Sequence, residues 1–426
     1  MVRPFSILLG KAVRHAARLR GGSGSALPGL FVERIDPNFT KRTLTTLSHG
    51  VVLVSGTNGK TTTTKMIVEL LEGQGLRVFT NRTGSNFSRG VAAALLGEIN
   101  LRGKLAADIA VLELDEAHAV HFVRAIAPRH TLLLNVMRDQ LDRFGEIDTT
   151  AKLLATIAEH TTGSLTLNRE DPRITAIADL ASDTLSIHYF GLSPQLLTQF
   201  PSDDNLHDQS GVKSTHLKAD VVLDSFNDKV ASFVINDTAY SATLKLSGVY
   251  NIYNAAAALA TVRNILGETT NTPKLIETLG TITPAFGRGE VIEVEGQPLE
   301  LVLVKNPSGF RLGLSSFSPE GYATMIAIND NYADGRDMSW LWDVSFESLT
   351  KSGVSMISGI RAYDMALRLA YDNIPTATVI PDLKRALKDF IATHPHQPKR
   401  IFCTYTAMLA LRREINTITP VKAIDS

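Results

Sequence analysis

An apolar run enters a glycine-rich turn and then a helical pattern in the segment Val51-Val52-Leu53-Val54-Ser55-Gly56-Thr57-Asn58-Gly59-Lys60-Thr61-Thr62. Its β-branched start predicts a buried strand, and Thr61–Gln74 predicts a helix because apolar residues recur on one face. Backbone N–H groups at the start of such a helix face a phosphate, and the helix dipole favours the negative charge. Lys60 can reach terminal phosphates, and the Thr61 hydroxyl can hold Mg²⁺. The segment predicts a nucleotide site, against the alternative of an ordinary strand–helix turn with a surface lysine.

Short apolar runs alternate with helical stretches along the rest of the chain. Buried strands are predicted at Val51–Val54, Ile109–Leu112, Thr131–Leu134 and Leu165–Leu167. Strands separated by helices require right-handed crossovers and therefore a parallel sheet. A second alternation predicts another open α/β unit, with strands at Leu301–Val304, Thr324–Ile328, Val354–Ile357, Thr376–Ile380 and Arg400–Cys403 and helices at Ala362–Tyr371, Leu383–Thr393 and Thr406–Ile415.

This pattern divides the chain into three regions. Residues 1–45 form a basic helix and a linker, residues 46–290 form a nucleotide-binding α/β domain, and residues 291–426 form a Rossmann-like α/β domain. The glycine-containing segment Phe286–Gly289 is the predicted hinge. Residues from about 193 to 240 combine polar turns with short alternating runs, which predicts a small inserted β-rich lobe.

Composition excludes several classes of protein. The chain has 426 residues, with 43 Lys and Arg against 43 Asp and Glu, so bulk attraction to nucleic acid is not expected. One cysteine, Cys403, allows neither an internal disulfide nor a cysteine-rich zinc site. A reducing cytoplasm is therefore the expected compartment. No apolar run approaches the roughly 18–20 residues of a membrane span.

The N-terminal segment is basic and amphipathic. Its charges are Arg3, Lys11, Arg14, Arg18 and Arg20. The simpler interpretation is a helix that packs on the protein, since an apolar face usually finds protein first. The alternative is a helix that touches an anionic membrane surface.

Acidic residues follow the second buried strand. Glu113 ends that strand, at the edge of a parallel sheet where ligands bind, and we predict that it holds Mg²⁺ with Thr61. For Asp115 and Glu116 a surface or helix-capping role is favoured. The polar segment from Asn135 to Gly145 follows the third strand and is hard to explain by packing alone.

The phosphate segment resembles the ATP loop of the Mur ligases and folylpolyglutamate synthetases, a variant in which Val54 replaces the first glycine of the general pattern. Three longer motifs resemble the MurT family, whose members are the ligase-like subunits of lipid II isoglutaminyl synthase. They are Arg138-Asp139-Gln140-Leu141-Asp142-Arg143-Phe144-Gly145-Glu146, Gly248-Val249-Tyr250-Asn251-Ile252-Tyr253-Asn254-Ala255 and Asn329-Asp330-Asn331-Tyr332-Ala333-Asp334-Gly335-Arg336-Asp337-Met338-Ser339-Trp340. The resemblance covers nearly the whole chain.

The resemblance implies an ATP-dependent amidation. ATP would phosphorylate the α-carboxylate of D-glutamate in the lipid II stem peptide, and ammonia would convert the acyl phosphate to D-isoglutamine. A glutamine amidotransferase subunit, paired with this chain as a heterodimer, would supply the ammonia from a Cys–His site. The substrate would lie at the inner membrane face, so the chain would be cytoplasmic, with peripheral membrane contact left open.

The resemblance also implies site residues. Residues Gly56, Thr57, Asn58, Gly59, Lys60, Thr61 and Thr62 should surround phosphates. Asn251, Asn254 and Arg288 should contact the nucleotide, against helix capping for the asparagines and a surface linker role for the arginine. Asp337 matches an acidic residue lent to the partner's Cys–His pair, where a carboxylate orients the imidazole. Its alternative role is a helix N-cap before Met338.

The sequence differs from these families at several positions, and the differences limit which function is expected. Gln140 and Lys305 stand where amino-acid-adding Mur ligases have histidine, and only 55 residues precede Gly56, too few for a UDP-recognition domain. The insert lacks the four cysteines that MurT proteins often use for zinc, so no zinc site is expected. Cys403 ends an apolar strand, which favours a buried thiol over a nucleophile. The competing hypotheses are a free-standing amino-acid ligase and an ATP-binding scaffold without catalysis.

Overall fold

Two β-sheets with covering helices organise the chain. The computed structural model describes residues 4–19, 27–81, 88–138, 147–200, 217–227, 230–245, 248–283 and 288–421. Within these ranges the strands form one nine-stranded sheet and one six-stranded sheet. The predicted α/β class with two sheets is confirmed.

The first sheet contains the predicted nucleotide segment. Its strands are β1 (Val51–Ser55), β2 (Val78–Thr80), β3 (Ile109–Glu113), β4 (His130–Leu133), β5 (Ser164–Asn168), β6 (Ser186–Leu192), β7 (Val221–Phe226), β8 (Val230–Ile235) and β9 (Thr238–Thr243). They lie in the order β2-β3-β1-β4-β5-β6-β7-β8-β9, and neighbouring strands from β2 to β7 are parallel. Because β3 and β4 lie on opposite sides of β1, the carboxyl end of β1 is a switch point where such sheets bind ligands.

Helices cover both faces of this sheet. They are α1 (Pro4–Leu19), α2 (Leu27–Ile35), α3 (Phe39–Leu44), α4 (Lys60–Gly73), α5 (Ser88–Glu98), α6 (Glu116–Ala125), α7 (Ile147–Glu159), α8 (Pro172–Ile177), α9 (Val249–Leu266) and α10 (Thr272–Leu279). Val52 and Val54 of β1 pack in one core with α4 and α9, whereas Val51 and Leu53 pack in another with α5, α6 and α7. Burial on both faces explains why β1 is apolar at successive positions.

The segment predicted as an inserted lobe does form β-hairpins, but its strands extend the first sheet. Val221 of β7 pairs in parallel with Phe190 of β6, and β8 and β9 then continue the sheet in antiparallel pairs. Phe190 and Phe233 are buried in the same core as α9, so the hairpins have no separate core of their own. The polar residues 201–216 lie outside the described residues.

The second sheet begins at the predicted hinge. Its strands are β10 (Arg288–Val294), β11 (Gln297–Leu303), β12 (Ala323–Ala327), β13 (Val354–Ser358), β14 (Thr376–Val379) and β15 (Lys399–Cys403). They lie in the order β10-β11-β15-β12-β13-β14, all parallel except the β10–β11 pair. The helices of this half are α11 (Pro307–Ser316), α12 (Ala362–Tyr371), α13 (Leu383–Thr393) and α14 (Tyr405–Ile415). Residues 286 and 287 of the hinge lie outside the described residues.

The N-terminal helix packs on protein along the part that is described. Ile7 is buried, and Gly10 lies against Val32 of α2 and Leu96 of α5. The Lys11 ammonium donates a hydrogen bond to the carbonyl of Ile99 (2.6 Å). Across the described ranges, no helix combines the length and apolarity that crossing a membrane requires.

Candidate functional site

The phosphate loop, defined here as residues 55–61, joins β1 to α4. Gly56 and Gly59 have φ angles of +129° and +91°, a region that side chains rarely adopt. A Cβ on Gly56 would lie 3.0 Å from the backbone nitrogen of Asn135. A Cβ on Gly59 would lie 2.8 Å from the side-chain amide of Asn254. Both positions therefore require glycine, for backbone conformation and for space.

Asn135, which follows β4, holds the loop in shape. Its side-chain oxygen accepts from the backbone N–H of Asn58 (2.9 Å), and its amide group donates to the Asn58 carbonyl (3.0 Å). The Thr57 hydroxyl accepts from the backbone N–H of Met137 (3.0 Å). Sequence reasoning noticed the polar character of this segment but gave Asn135 no role. The available signal was its place directly after a buried parallel strand.

Lys60 is buried at the start of α4, with a side chain that is 5% exposed. Its ammonium donates to the carbonyl of Gly56 (2.6 Å) and lies 3.4 Å from an Asp115 oxygen and 3.3 Å from a Glu116 oxygen. The preference for surface or capping roles at Asp115 and Glu116 is therefore wrong for Glu116, which is 2% exposed. Asp115 does occupy the N-cap position of α6, yet it also pairs with Lys60. The first turn of α6 points both acids back at the loop, which a linear pattern does not reveal.

The predicted Mg²⁺ ligands lie next to each other. The Thr61 hydroxyl donates to Oε1 of Glu113 (2.8 Å). Asn81 fixes the backbone of Glu113 in both directions, accepting from its N–H (3.0 Å) and donating to its carbonyl (2.8 Å). Within the described ranges, no group of three or more His, Cys, Asp or Glu side chains is arranged to hold a metal ion. Two protein oxygens suit Mg²⁺, which usually takes its remaining ligands from phosphates and water.

Of the other predicted nucleotide contacts, the structure brings Asn254 to the phosphate loop, where it lies against Gly59. Asn251 belongs to the first turn of the same helix, α9, whose N-cap is Gly248. Asn251 therefore does not occupy the N-cap position itself. Arg288 is the first residue of β10, and its side chain lies outside the described part of the structure. Thr62 is buried one residue beyond Thr61.

A crevice opens beside the phosphate loop, between α9 and the strand ends. Its walls include Asn135, Asn168, Phe190, Tyr250, Tyr253 and Asn254. The Tyr253 hydroxyl donates to Oδ1 of Asn168 (2.6 Å), and complete burial raises the pKa of Tyr253 well above its usual value. The crevice combines flat aromatic walls with amide groups, which is the lining that organic ligands generally find in proteins.

Asp337 lies in the second half of the chain, in the loop that follows β12. One of its carboxylate oxygens accepts from the backbone N–H of Ser339 (2.9 Å), at the start of the 3₁₀ helix Ser339–Asp343. The N-cap position of this 3₁₀ helix belongs to Met338, so the alternative role of Asp337 as the helix N-cap is wrong, although one of its oxygens does accept from the first N–H of the helix. Asp334, which sequence reasoning missed, fixes the loop by accepting from the backbone N–H of Thr406 (2.7 Å) at the start of α14.

The two halves meet at the phosphate loop. Asn306 donates to the side-chain oxygen of Asn58 (3.3 Å) and accepts from the backbone N–H of Gly309 (2.6 Å), which caps α11. The segment that contains Gln140, residues 139–146, lies outside the described residues.

Comparison with known families matches both halves of the chain. Residues 54–262 match the Mur ligase middle domain, and residues 303–408 match the MurT ligase C-terminal domain. The chain is 31% identical to the lipid II isoglutaminyl synthase (glutamine-hydrolyzing) subunit MurT of Staphylococcus aureus (strain COL), covering 88% of this chain and 89% of that protein. It is also 31% identical to the subunit of the same name from Streptococcus pneumoniae (strain ATCC BAA-255 / R6), over 96% of both chains.

Solved structures share the fold at lower identity. The MurF ligase from Thermotoga maritima, determined in complex with ADP, superposes with a TM-score of 0.66 at 18% identity, covering 89% of this chain and 84% of that one. This likeness concerns the fold alone, whereas the identity to the subunits from Staphylococcus and Streptococcus extends along almost the whole chain. On these grounds the chain belongs to the MurT family of Mur-ligase-like proteins.

Proposed function

We propose that the chain is the ATP-dependent ligase subunit of an enzyme that amidates the D-glutamate α-carboxylate of lipid II in peptidoglycan biosynthesis. The observation that carries this proposal is the buried Lys60 at the glycine turn, with Thr61 and Glu113 beside it. The names of the relatives, which specify lipid II and glutamine hydrolysis, support the substrate and the nitrogen source.

The phosphate loop supplies the ATP site in this proposal. Backbone N–H groups at the start of α4 would donate hydrogen bonds to phosphate oxygens, and the helix dipole would favour the negative charge. The Lys60 ammonium would exchange the Gly56 carbonyl for phosphate oxygens that become more negative during transfer. Thr61 and Glu113 would hold Mg²⁺, which neutralises phosphate charge when bound. The fold shared with a ligase solved in complex with ADP is consistent with this use of the loop.

The neighbouring residues would position the rest of the nucleotide. Asn254 and Asn251 lie near the start of α9, where Asn254 is next to the phosphate loop, and the aromatic and amide side chains of the crevice lie beside them. Arg288, at the start of β10, would approach phosphate from the second half of the chain. Phosphorylation of the substrate carboxylate then creates an acyl phosphate, and ammonia displaces the phosphate to leave the amide.

A glutamine amidotransferase partner would supply the ammonia. Its Cys–His pair requires a carboxylate to orient the imidazole, and Asp337 has one oxygen beyond the one that accepts from Ser339. Large apolar side chains are exposed close to this loop: Ile360, Tyr363 and Leu367 near or on α12, together with Trp342, whose ring stacks edgewise on Tyr371. We define Trp342, Ile360, Tyr363, Leu367 and Tyr371 as the apolar surface. Exposed apolar area of this kind marks protein interaction sites.

The substrate is carried by a lipid, so we place the working enzyme at the cytoplasmic face of the membrane. Leu27, Phe31 and Ile35 are exposed and recur every fourth residue along α2, and Arg34 is exposed beside them. An apolar stripe with basic neighbours is the pattern that favours an interfacial position on a lipid surface. The described part of α1, by contrast, uses Lys11 within the protein.

The experiment that tests the proposal measures ADP release by the purified chain, with and without the co-purified amidotransferase, on lipid II with glutamine or with ammonia. We expect ADP only when lipid II and a nitrogen source are both present. The variant Lys60→Ala serves as the inactive reference, because it removes the charge that would face the phosphates. ADP formation with an amino acid as nucleophile and no partner would instead favour a free-standing ligase. Nucleotide binding without substrate-dependent ADP would favour a scaffold.

A further inference from the structure

We propose that α11 mechanically couples the phosphate loop to the segment that carries Asp337, so that the occupancy of the ligase site controls glutamine hydrolysis by the partner. This inference rests on the proposed function. It concerns three side chains outside the predicted set of nucleotide-binding residues: Asn306, Arg311 and Asp343.

One end of α11 is attached to the phosphate loop. Asn306, at the N-cap of α11, is fully buried and donates to the Asn58 side chain across the boundary between the two halves (3.3 Å). Its own oxygen accepts from Gly309 N–H (2.6 Å), so a displacement of Asn58 pulls directly on the first turn of the helix. Asn58 in turn is held by its backbone to Asn135, within the loop that would receive phosphates.

The other side of α11 is attached to the Asp337 segment. The Arg311 guanidinium donates two hydrogen bonds to the backbone carbonyl of Asp343 (2.9 and 2.5 Å). Asp343 ends the 3₁₀ helix whose first residue, Ser339, donates to Asp337. The buried Phe310 ring packs edgewise on Trp340 of the same short helix, with ring centroids 6.3 Å apart.

Arg138 forms a second connection between the phosphate loop and Asp343. The Ser308 hydroxyl donates to the backbone carbonyl of Arg138 (3.1 Å), and the Arg138 guanidinium lies 3.4 Å from the Asp343 carboxylate. Arg138 directly follows Met137, whose backbone N–H donates to Thr57 of the phosphate loop. The loop therefore reaches Asp343 by two routes, through α11 and through Arg138.

The coupling depends on the stiffness of these contacts. Each link is a short hydrogen bond or a packed ring on a helix, and packed elements shift as units because their interiors are close-packed. When phosphates bind, Lys60 and the loop around Asn58 must rearrange, and α11 transmits that change to the 3₁₀ helix. Asp337 then takes or leaves the position that orients the partner's imidazole. The test therefore measures the coupling itself, as the effect of one site's occupancy on the other site's activity.

The test uses the intact complex and measures glutamate release from glutamine, with and without ATP and lipid II, alongside ammonia-driven ADP formation. In the wild type we expect ATP and lipid II to stimulate glutamate release by a factor in the usual coupling range of about 5–150. Arg311→Met keeps the aliphatic stem but removes both donors, so the stimulation should fall several-fold, to the part that the Arg138 route transmits, while ammonia-driven ADP formation persists. Asp343→Asn is a milder variant at a half-exposed side chain and should reduce the stimulation partly.

Two further variants sharpen the result. The double variant Asn306→Asp with Arg311→Met should lose no more stimulation than Arg311→Met alone, because both changes interrupt one route. Lys384→Met breaks a 3.0 Å ion pair with Glu414 elsewhere in the same half and should leave the stimulation unchanged. Full stimulation in Arg311→Met, or no stimulation in the wild type, would overturn the coupling alone. Wild-type complex that forms no ADP from lipid II and ammonia would overturn the proposed function and the coupling together.

Discussion

The Lys60 ammonium lies close to the carbonyls of Gly56 and Thr57 and to the carboxylates of Asp115 and Glu116. Two carboxylates therefore lie beside this buried ammonium. Phosphates could enter this site only if Lys60 turned toward them and a divalent cation balanced the charge. This explains why Thr61 and Glu113 stand directly beside the lysine.

Glu116 is therefore expected to position Lys60. Glu116→Gln keeps the shape but removes the charge that orients the ammonium, and hydrogen bonds to charged groups contribute about 1.5–3 kcal/mol. We expect kcat/KM for ATP to fall about tenfold or more in ammonia-driven amidation. Asp115→Asn, at a side chain that is one-quarter exposed, should have a smaller effect. A lowered melting temperature with unchanged kcat/KM would assign Glu116 a structural role only.

His130 links pH to stability at the other end of β4. Burial lowers the pKa of His130 to about 4, and its Nδ1 lies 2.7 Å from the Ser164 hydroxyl on β5. In the unfolded chain the pKa is about 6.5, so the unfolded state binds more protons between pH 6.5 and 4. The stability contribution is complete above pH 6.5 and is lost as the pH falls toward 4, by at most about 3 kcal/mol.

His130→Gln removes this titration while keeping a hydrogen-bonding side chain. We expect the difference in melting temperature between wild type and variant to change across pH 4–6.5 and to stay constant from pH 6.5 to 8. Melting curves of both proteins in a buffer series measure this directly. Parallel curves throughout the acid range would contradict the low pKa.

Among the elements, β1 and α4 were predictable because their signals are local: a β-branched run, two glycines and an apolar helix face. The helices α12 and α13 match their predicted bounds for the same reason. The sequence did not predict that β7–β9 belong to the first sheet, because this depends on pairing between β6 and β7, which a polar segment separates in the sequence. The burial of Glu116 likewise depends on where α6 lies relative to the loop. Local sequence patterns therefore predicted the elements and the phosphate loop, whereas contacts between residues far apart in the sequence could not be predicted.

Helix α4 lies between two glycines that form a matched pair, Gly59 before it and Gly75 after it. Gly59 and Gly75 have φ angles of +91° and +96°, but an added Cβ meets Asn254 at 2.8 Å only at Gly59, with nothing within 4 Å at Gly75. Alanine at either position should cost about 1 kcal/mol or more of unfolding free energy through backbone strain. Gly59→Ala should also weaken ATP binding, because Asn254 must move.

Denaturant unfolding and ATP titration of both alanine variants separate the two effects. We expect Gly75→Ala to bind ATP as the wild type does. If both variants lost ATP affinity equally, strain transmitted through α4, which lies between the two glycines, would account for the loss, and Asn254 would have no special place at the loop.

For the whole molecule, the two sheets divide the proposed work between nucleotide chemistry and partner contact. Asp337 tests that division. Asp337→Asn should lower glutamine-driven amidation by orders of magnitude while sparing ammonia-driven amidation, because ammonia bypasses the partner's Cys–His site. Product analysis with each nitrogen source measures both rates. An equal loss with both would assign Asp337 to the ligase site or to the Ser339 turn.

The apolar surface is the expected contact with the amidotransferase. Leu367→Asp introduces a charge at the centre of that surface and should abolish co-elution with the amidotransferase in size-exclusion chromatography, since a buried unpaired charge opposes association. Leu180→Asp is the control, because Leu180 and Leu367 are both 61% exposed and Leu180 lies on the other half of the chain. Co-elution of both variants would place the partner elsewhere.

Cys403 has a practical consequence for following such an assembly. The thiol is the sole one in the sequence, lies in the core of the second sheet, and has a pKa that burial raises far above its usual value. Thiol reagents act on exposed thiolates, so they should not react with Cys403. A cysteine introduced in place of Tyr363, which is 68% exposed, would then carry a fluorophore or a crosslinker without removal of any native thiol. The native sequence is already a background for site-specific labelling.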